Sequence, residues 1–209
     1  MKKSLALASL ILVSSSAMAM DTKYFVGIGA GQGNWDVKGT FKRDSDGATG
    51  TVTVDDNGGF VSIQGGVIIE DSHKIGVAYT KYNTESDCSM DSFGIGYDYR
   101  IIINNSDWKP FVGVSYTINA YKETLTDDAT TNWRDSRATL DTNIVAARLG
   151  LDYDISENFF VTASYELDVS TSGRGDPVWV TDLETGEDYT LTIEMDRMSR
   201  YGLWLSYKF

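Results

Sequence analysis

The chain has 209 residues, 23% of them charged, with 30 acidic against 18 basic side chains and a formal net charge of −12. So acidic a surface repels nucleic acid and excludes that class of partner. Cys88 is the only cysteine, so no internal disulfide supports the fold, and the length fits one domain.

Met1-Lys2-Lys3, the apolar run Leu5 to Val13 and the small-x-small triplet Ala17-Met18-Ala19 have the form of a cleaved secretory signal. The run is shorter than the ~20 residues a membrane-spanning helix needs, and no later stretch approaches that length. A signal peptide over 1–19 and a single mature domain over 20–209 are expected. Loss of Lys2 and Lys3 takes the net charge from −12 to −14. Cys88 does not follow the signal, so no lipid anchor is expected, and it reads as an unpaired thiol in a polar segment.

From Tyr24 the residues alternate in twos. Tyr24, Val26, Ile28 and Ala30 share one parity, and Phe25, Gly27, Gly29, Gly31 and Gly33 the other. The same period returns at Val61 to Ile69, Ile75 to Tyr79, Phe93 to Ile103, Val112 to Ile118, Val145 to Ile155, Phe159 to Val169 and Tyr201 to Phe209, making eight strand segments. Their connections alternate in length. Polar stretches at 38–57, 83–90, 122–138 and 171–190 follow the odd strands, and short turns at 70–74, 104–109 and 156–158 follow the even ones. An even-stranded barrel with long loops on one side and tight turns on the other is the form of bacterial outer-membrane barrels, with both termini periplasmic.

A soluble sandwich or lipocalin-like barrel also gives alternation. Its outer face would be charged, whereas the second face here carries Gly27, Gly29 and Gly31, then Gly113, Ser115 and Thr117. The expected fold class is therefore all-β, an eight-stranded antiparallel up-and-down transmembrane β-barrel.

The last strand closes on Tyr207-Lys208-Phe209. With this ending the chain resembles the OmpA/OmpX-type small outer-membrane barrels. The resemblance implies that Tyr207 and Phe209 form the signal read by the barrel-assembly machinery. Relatives with a peptidoglycan-binding domain continue past strand eight, so no such domain is expected here.

The inward parity carries Asp98, Arg100, Arg148, Asp152, Glu166, Asp168, Glu194, Asp196 and Arg200, with Lys208 beyond them. An eight-stranded lumen has room only for side chains, so these charges must pair. If Ile155 and Phe159 close their hairpin as facing residues, partners sum to 314. Arg148 then faces Glu166, while Leu149 faces Tyr165 and Tyr153 faces Val161 on the lipid side. The network reads as a strut that fills the barrel, with an ion path or gate as the functional alternative.

Other motifs carry less. The outer-membrane barrel enzymes resemble one another in using a histidine near the outer rim, but His73 is the only histidine and falls in turn 70–74 on the periplasmic side. Gly27 to Gly33 lacks dinucleotide spacing and a following helix. Asp44-Ser45-Asp46-Gly47 and Asp55-Asp56-Asn57-Gly58 lack the full calcium-loop spacing. Segment 171–190 has a net charge of −4 from Asp176, Asp182, Glu184, Glu187 and Asp188 against Arg174. It reads as solvated, with weak divalent-cation or basic-partner binding as the alternative.

No catalytic residue, cofactor or metal site is expected. The reading is a monomeric, non-enzymatic barrel with a role in membrane integrity or contact through four outer loops. Its expected partners are lipid, lipopolysaccharide, the assembly machinery and an extracellular ligand. A narrow diffusion channel is the alternative.

Overall fold

A computed structural model describes residues 21–84, 88–124, 131–133 and 137–209. The signal segment 1–19 lies outside the described residues, as does part of the 122–138 connection. Among the described residues ten strands form one antiparallel sheet: β1 (Thr22–Arg43), β2 (Thr49–Ile69), β3 (His73–Thr84), β4 (Cys88–Arg100), β5 (Trp108–Thr124), β6 (Thr131–Trp133), β7 (Arg137–Asp154), β8 (Phe159–Gly173), β9 (Val178–Asp182) and β10 (Asp188–Lys208). Eight close a ring in the order β1-β2-β3-β4-β5-β7-β8-β10, sealed by β10 against β1. The short β9 and β6 continue the sheet outward from β10.

The two barrel faces exchange character along the axis. Near the short turns the outward residues are apolar, with Ile28 66% and Leu203 60% exposed, while Ser62, Thr162 and Ser206 are buried inside. Nearer the long connections Trp35, Leu140, Ile193 and Met195 point inward, and Lys42 and Asp141 are exposed. The inversion marks where the medium around the barrel changes from lipid to water, since only a hydrocarbon surround favours an apolar exterior. Its level is marked by tyrosines that donate to polar rim residues: Tyr79 to Asp91 at 3.0 Å, Tyr116 to Asn143 at 3.0 Å and Tyr201 to Gln32 at 2.7 Å. A second aromatic girdle at the turn end includes Trp108 on Tyr153 and Phe159 on Tyr207. On β8 the outward series runs from Phe159 to Val169. At ~3.3 Å per residue and a tilt of ~35–45°, that length matches the ~25 Å apolar band of such barrels.

Beyond the rim the strands continue where loops were expected. β1 and β2 pair as far as Lys42↔Thr49, so segment 38–57 is mostly hairpin, turning at Gly47 with a φ of 74°. β9 and β10 pair across Asp188↔Thr181 in the same way. Long cross-strand pairing satisfies backbone groups that an irregular loop would leave to water. β2 outruns β3, whose pairing ends at Gly58↔Thr84. Among the described residues no strand pairs with the β3-side edge of 49–57.

The β1–β10 seam has a close fit. A Cβ added at Gly29 would lie 2.2 Å from the Trp204 indole, and one at Gly31 would lie 2.6 Å from both Gly202 Cα and the Phe60 ring. The alternating glycines of β1 thus make room for bulk on the strands beside it.

Candidate functional site

The lumen charges form two groups. Strands β3, β4, β7, β8 and β10 bring Lys74, Asp98, Arg100, Arg148, Asp152, Glu166 and Arg200 together at mid-barrel. Arg148 stands opposite Glu166 in the β7–β8 register, with Leu149↔Tyr165 and Tyr153↔Val161 beside it. Its Nε is 3.1 Å from Glu166 Oε1 and its Nη1 3.0 Å from Asp98 Oδ1. Glu166 also accepts from Arg200 at 2.6 Å and from Ser115 at 3.1 Å. Asp152, fully buried, takes Arg100 Nε at 2.9 Å, Lys74 Nζ at 3.0 Å and the Thr162 hydroxyl at 2.5 Å. Lys74 lies 4.5 Å from the Phe111 ring centre, so its stem and head are both accommodated.

A smaller group sits by the turns, where Lys109 at 2.5 Å and Lys208 at 2.8 Å both reach Asp154. Phe25, Ile68 and Phe160 pack as an apolar layer in the lumen. On the other side of the central group, Trp35, Phe60, Tyr82 and Trp204 begin a larger apolar cluster that continues through Met90, Leu140, Ile193 and Met198. Arg200 donates to Tyr82 at 3.4 Å, joining charge to plug.

Two expected members of the lumen network do not belong to it. Glu194 is half exposed and pairs with Arg174 at 3.6 Å, and Asp196 is exposed on the outer face. The cause is a β-bulge: Asp36 pairs with Arg197 but Val37 pairs with Met195, so Asp196 is the extra residue. A bulge reverses side-chain parity beyond it. Met195, Ile193 and Leu191 therefore point inward, where Glu194 and Asp196 had been placed. Asp168 is half-buried near the rim, its carboxylate accepts from Thr171 at 2.7 Å, and it lines a small cavity with Glu166 and Arg200 of the central group.

Three lumen residues escaped sequence reasoning. Lys74 reads as a turn residue, yet the turn covers only 70–72, with Glu70 and Asp71 at positive φ, and β3 begins at His73. Lys109 and Asp154 likewise lie at strand ends, and their inward parity was the only available signal. His73 opens β3, and its Nδ1 lies 2.8 Å from the Tyr97 hydroxyl.

Outside the membrane span, partial burial and the facing carboxylate of Asp55 push the Asp36 carboxyl above its ordinary range, opposed by Arg197. In the acidic segment, the amide of Glu184, then the hydroxyl and amide of Thr185, hold the Asp182 carboxyl below the usual range. Asp182 thereby caps a tight turn completed by Gly186 at φ 70°. Among the described residues no three His, Cys, Asp or Glu side chains are grouped as a metal ion requires.

A closed ring of tilted strands, apolar outside across a lipid-thick band and charged within, defines an integral outer-membrane β-barrel. The chain belongs to the outer membrane protein beta-barrel domain family, whose model matches residues 5–209. Among solved structures it is similar to Neisserial surface protein A, with 18% identity, a TM-score of 0.54, and coverage of 89% of this chain and 97% of that one. It is also similar to the outer membrane protein OprG from Pseudomonas aeruginosa, with 12% identity, a TM-score of 0.62, and coverage of 91% and 97%. At these identities the likeness concerns the fold alone. No curated protein matches the chain by sequence.

Proposed function

We propose that this protein is a non-enzymatic, non-conducting outer-membrane barrel whose working surface is the sheet beyond the rim. The supporting observation is the apolar cluster across the lumen, in which Tyr82, Met90 and Leu140 are at most 1% exposed. A water column through an eight-stranded barrel would have to pass these side chains, for which there is no room. In this reading the long connections face the outside, and both termini, which share the opposite end with the short turns, face the periplasm. The exposed surface there includes the β2 edge that no described strand pairs, with Val52 and Val54, and the β9–β10 hairpin with Trp179 and Leu183. An unpaired strand edge and scattered apolar side chains offer contacts to an extracellular ligand or to lipopolysaccharide.

In planar bilayers the purified protein is expected to give no unitary conductance. Regular single-channel steps that scale with the amount of protein would overturn this reading and favour a diffusion channel.

Tyr207 and Phe209 serve biogenesis in this proposal. They lie on the lipid-facing surface, where Phe209 stacks against Tyr24 and Tyr207, and their alternation is available to the assembly machinery as an edge pattern. Deleting Phe209 is expected to leave export to the periplasm unchanged and to lower the folded fraction in the outer membrane severalfold. Heat-modifiable mobility on gels reads that fraction, and normal assembly of the truncated chain would remove the assembly-signal role.

A further inference from the structure

We infer that the central lumen binds a small monovalent anion of chloride size. Lys74, Arg100, Arg148 and Arg200 stand against Asp98, Asp152 and Glu166, four cations to three carboxylates, and none of these side chains is more than 14% exposed. The turn-end group does not supply the missing negative charge, since Lys109 and Lys208 already share the single carboxylate of Asp154. Asp168 accepts from the Thr171 hydroxyl and keeps its charge beside Arg200, which offsets the second lysine of the turn-end group. Among the described lumen residues six cations therefore stand against five carboxylates, and one positive charge per barrel is left unmatched in a space that water solvates poorly, where such a charge is costly unless an opposite one joins it.

Beside this group lies a cavity of about 40 Å³. Three of the four cations, Lys74, Arg148 and Arg200, border it, as do Gln64 and Thr80. Trp204 borders it too, and its indole N–H is buried without an acceptor. Ammonium, guanidinium and indole N–H groups only donate hydrogen bonds. Asp98 and Glu166 also reach the cavity wall, but each is bound by the bases that flank it. The space exceeds the ~10–15 Å³ that one water requires. A water would satisfy donors there but leave the charge count unchanged, whereas a halide satisfies the donors and balances the count. A multivalent or larger anion would overshoot the single excess charge or the volume.

The test uses the intact barrel reconstituted in neutral lipid vesicles at constant ionic strength, with chloride exchanged for gluconate, which is too large for the cavity. Denaturant unfolding is followed at graded chloride and bromide. Above half-saturation each tenfold rise in halide is expected to raise the folded-to-unfolded ratio by up to tenfold, with no such rise in gluconate. Arg200→Met and Lys74→Met each leave three cations against three carboxylates, and both are expected to lose the halide dependence. A bromide-soaked crystal of the parent protein should give one anomalous peak between Lys74, Arg148 and Arg200, a readout that does not depend on either variant folding. Stability indifferent to halide, a bromide peak found only elsewhere, or dependence that survives both substitutions would each overturn the site.

Discussion

Glu166→Gln is expected to destabilise the folded barrel by ~3–5 kcal/mol, the range for breaking a buried ion pair on one side only. Glu166 is the meeting point of two strands' worth of positive charge, with Arg148 at 3.1 Å and Arg200 at 2.6 Å. The amide keeps the shape and one acceptor but leaves two guanidiniums to a reduced set of carboxylates. Arg148 retains Asp98 at 3.0 Å, so most of the loss falls on Arg200, whose remaining neutral contact is the Tyr82 hydroxyl. The double variant Arg148→Met with Glu166→Gln should therefore cost less than the sum of the single losses, because the pair is coupled. Equilibrium unfolding in lipid vesicles measures all three. Strict additivity would contradict the strut, and a rise in conductance in either single variant before any loss of stability would make the pair a gate.

Leu203→Arg is expected to cost ~2–4 kcal/mol, the penalty for a cation on the lipid face near mid-bilayer. Leu203 lies between Ala30 on β1 and Ala163 on β8, with the girdle residues Tyr201 and Tyr207 on either side along its own strand. Leu183 provides the control. It is 52% exposed against 60% for Leu203, but it sits in the β9–β10 turn beyond the rim, where Arg should change stability by less than ~0.5 kcal/mol. Solvent exposure alone therefore predicts similar costs, and the membrane predicts very different ones. Equal effects at the two sites in vesicle-based unfolding would show that the band does not face lipid.

The ring and much of its interior could be read from the chain because strand period and turn length together leave few registers. A three-residue turn before Phe159 suffices to set Arg148 opposite Glu166, since a one-residue slip would turn Leu149 and Tyr165 inward. The same reasoning misplaced Glu194 and Asp196, because a bulge adds a residue without any mark in composition. It also overlooked Lys74, which follows polar turn residues and looks like one of them. The consequence for the lumen was a reversal of sign. Counting Glu194 and Asp196 inside made the interior acidic, whereas removing them and admitting Lys74, with Lys109 and Asp154, makes it basic by one charge. The hairpins beyond the rim were hidden for a different reason. There the inward residues are the apolar ones, as at Leu140 and Ile193, so a rule tuned to lipid outside reads the strands as irregular polar sequence.

The β1–β10 seam differs from the hairpin seams of the ring in that no turn sets its alignment, because its two strands come from opposite ends of the chain. Side chains must do so. Trp204 fits over Gly29, where any Cβ would collide with the indole. A slip of two residues one way would bring the indole onto Gly31, a place the Phe60 ring already crowds. A slip the other way would bring it to Gly27 and carry Ser206 away from Gln64, which donates to the serine hydroxyl at 3.1 Å in the native register. The first and last strands thus carry a matched notch and tooth, and the chain holds within its own ends the instruction for where its circle closes.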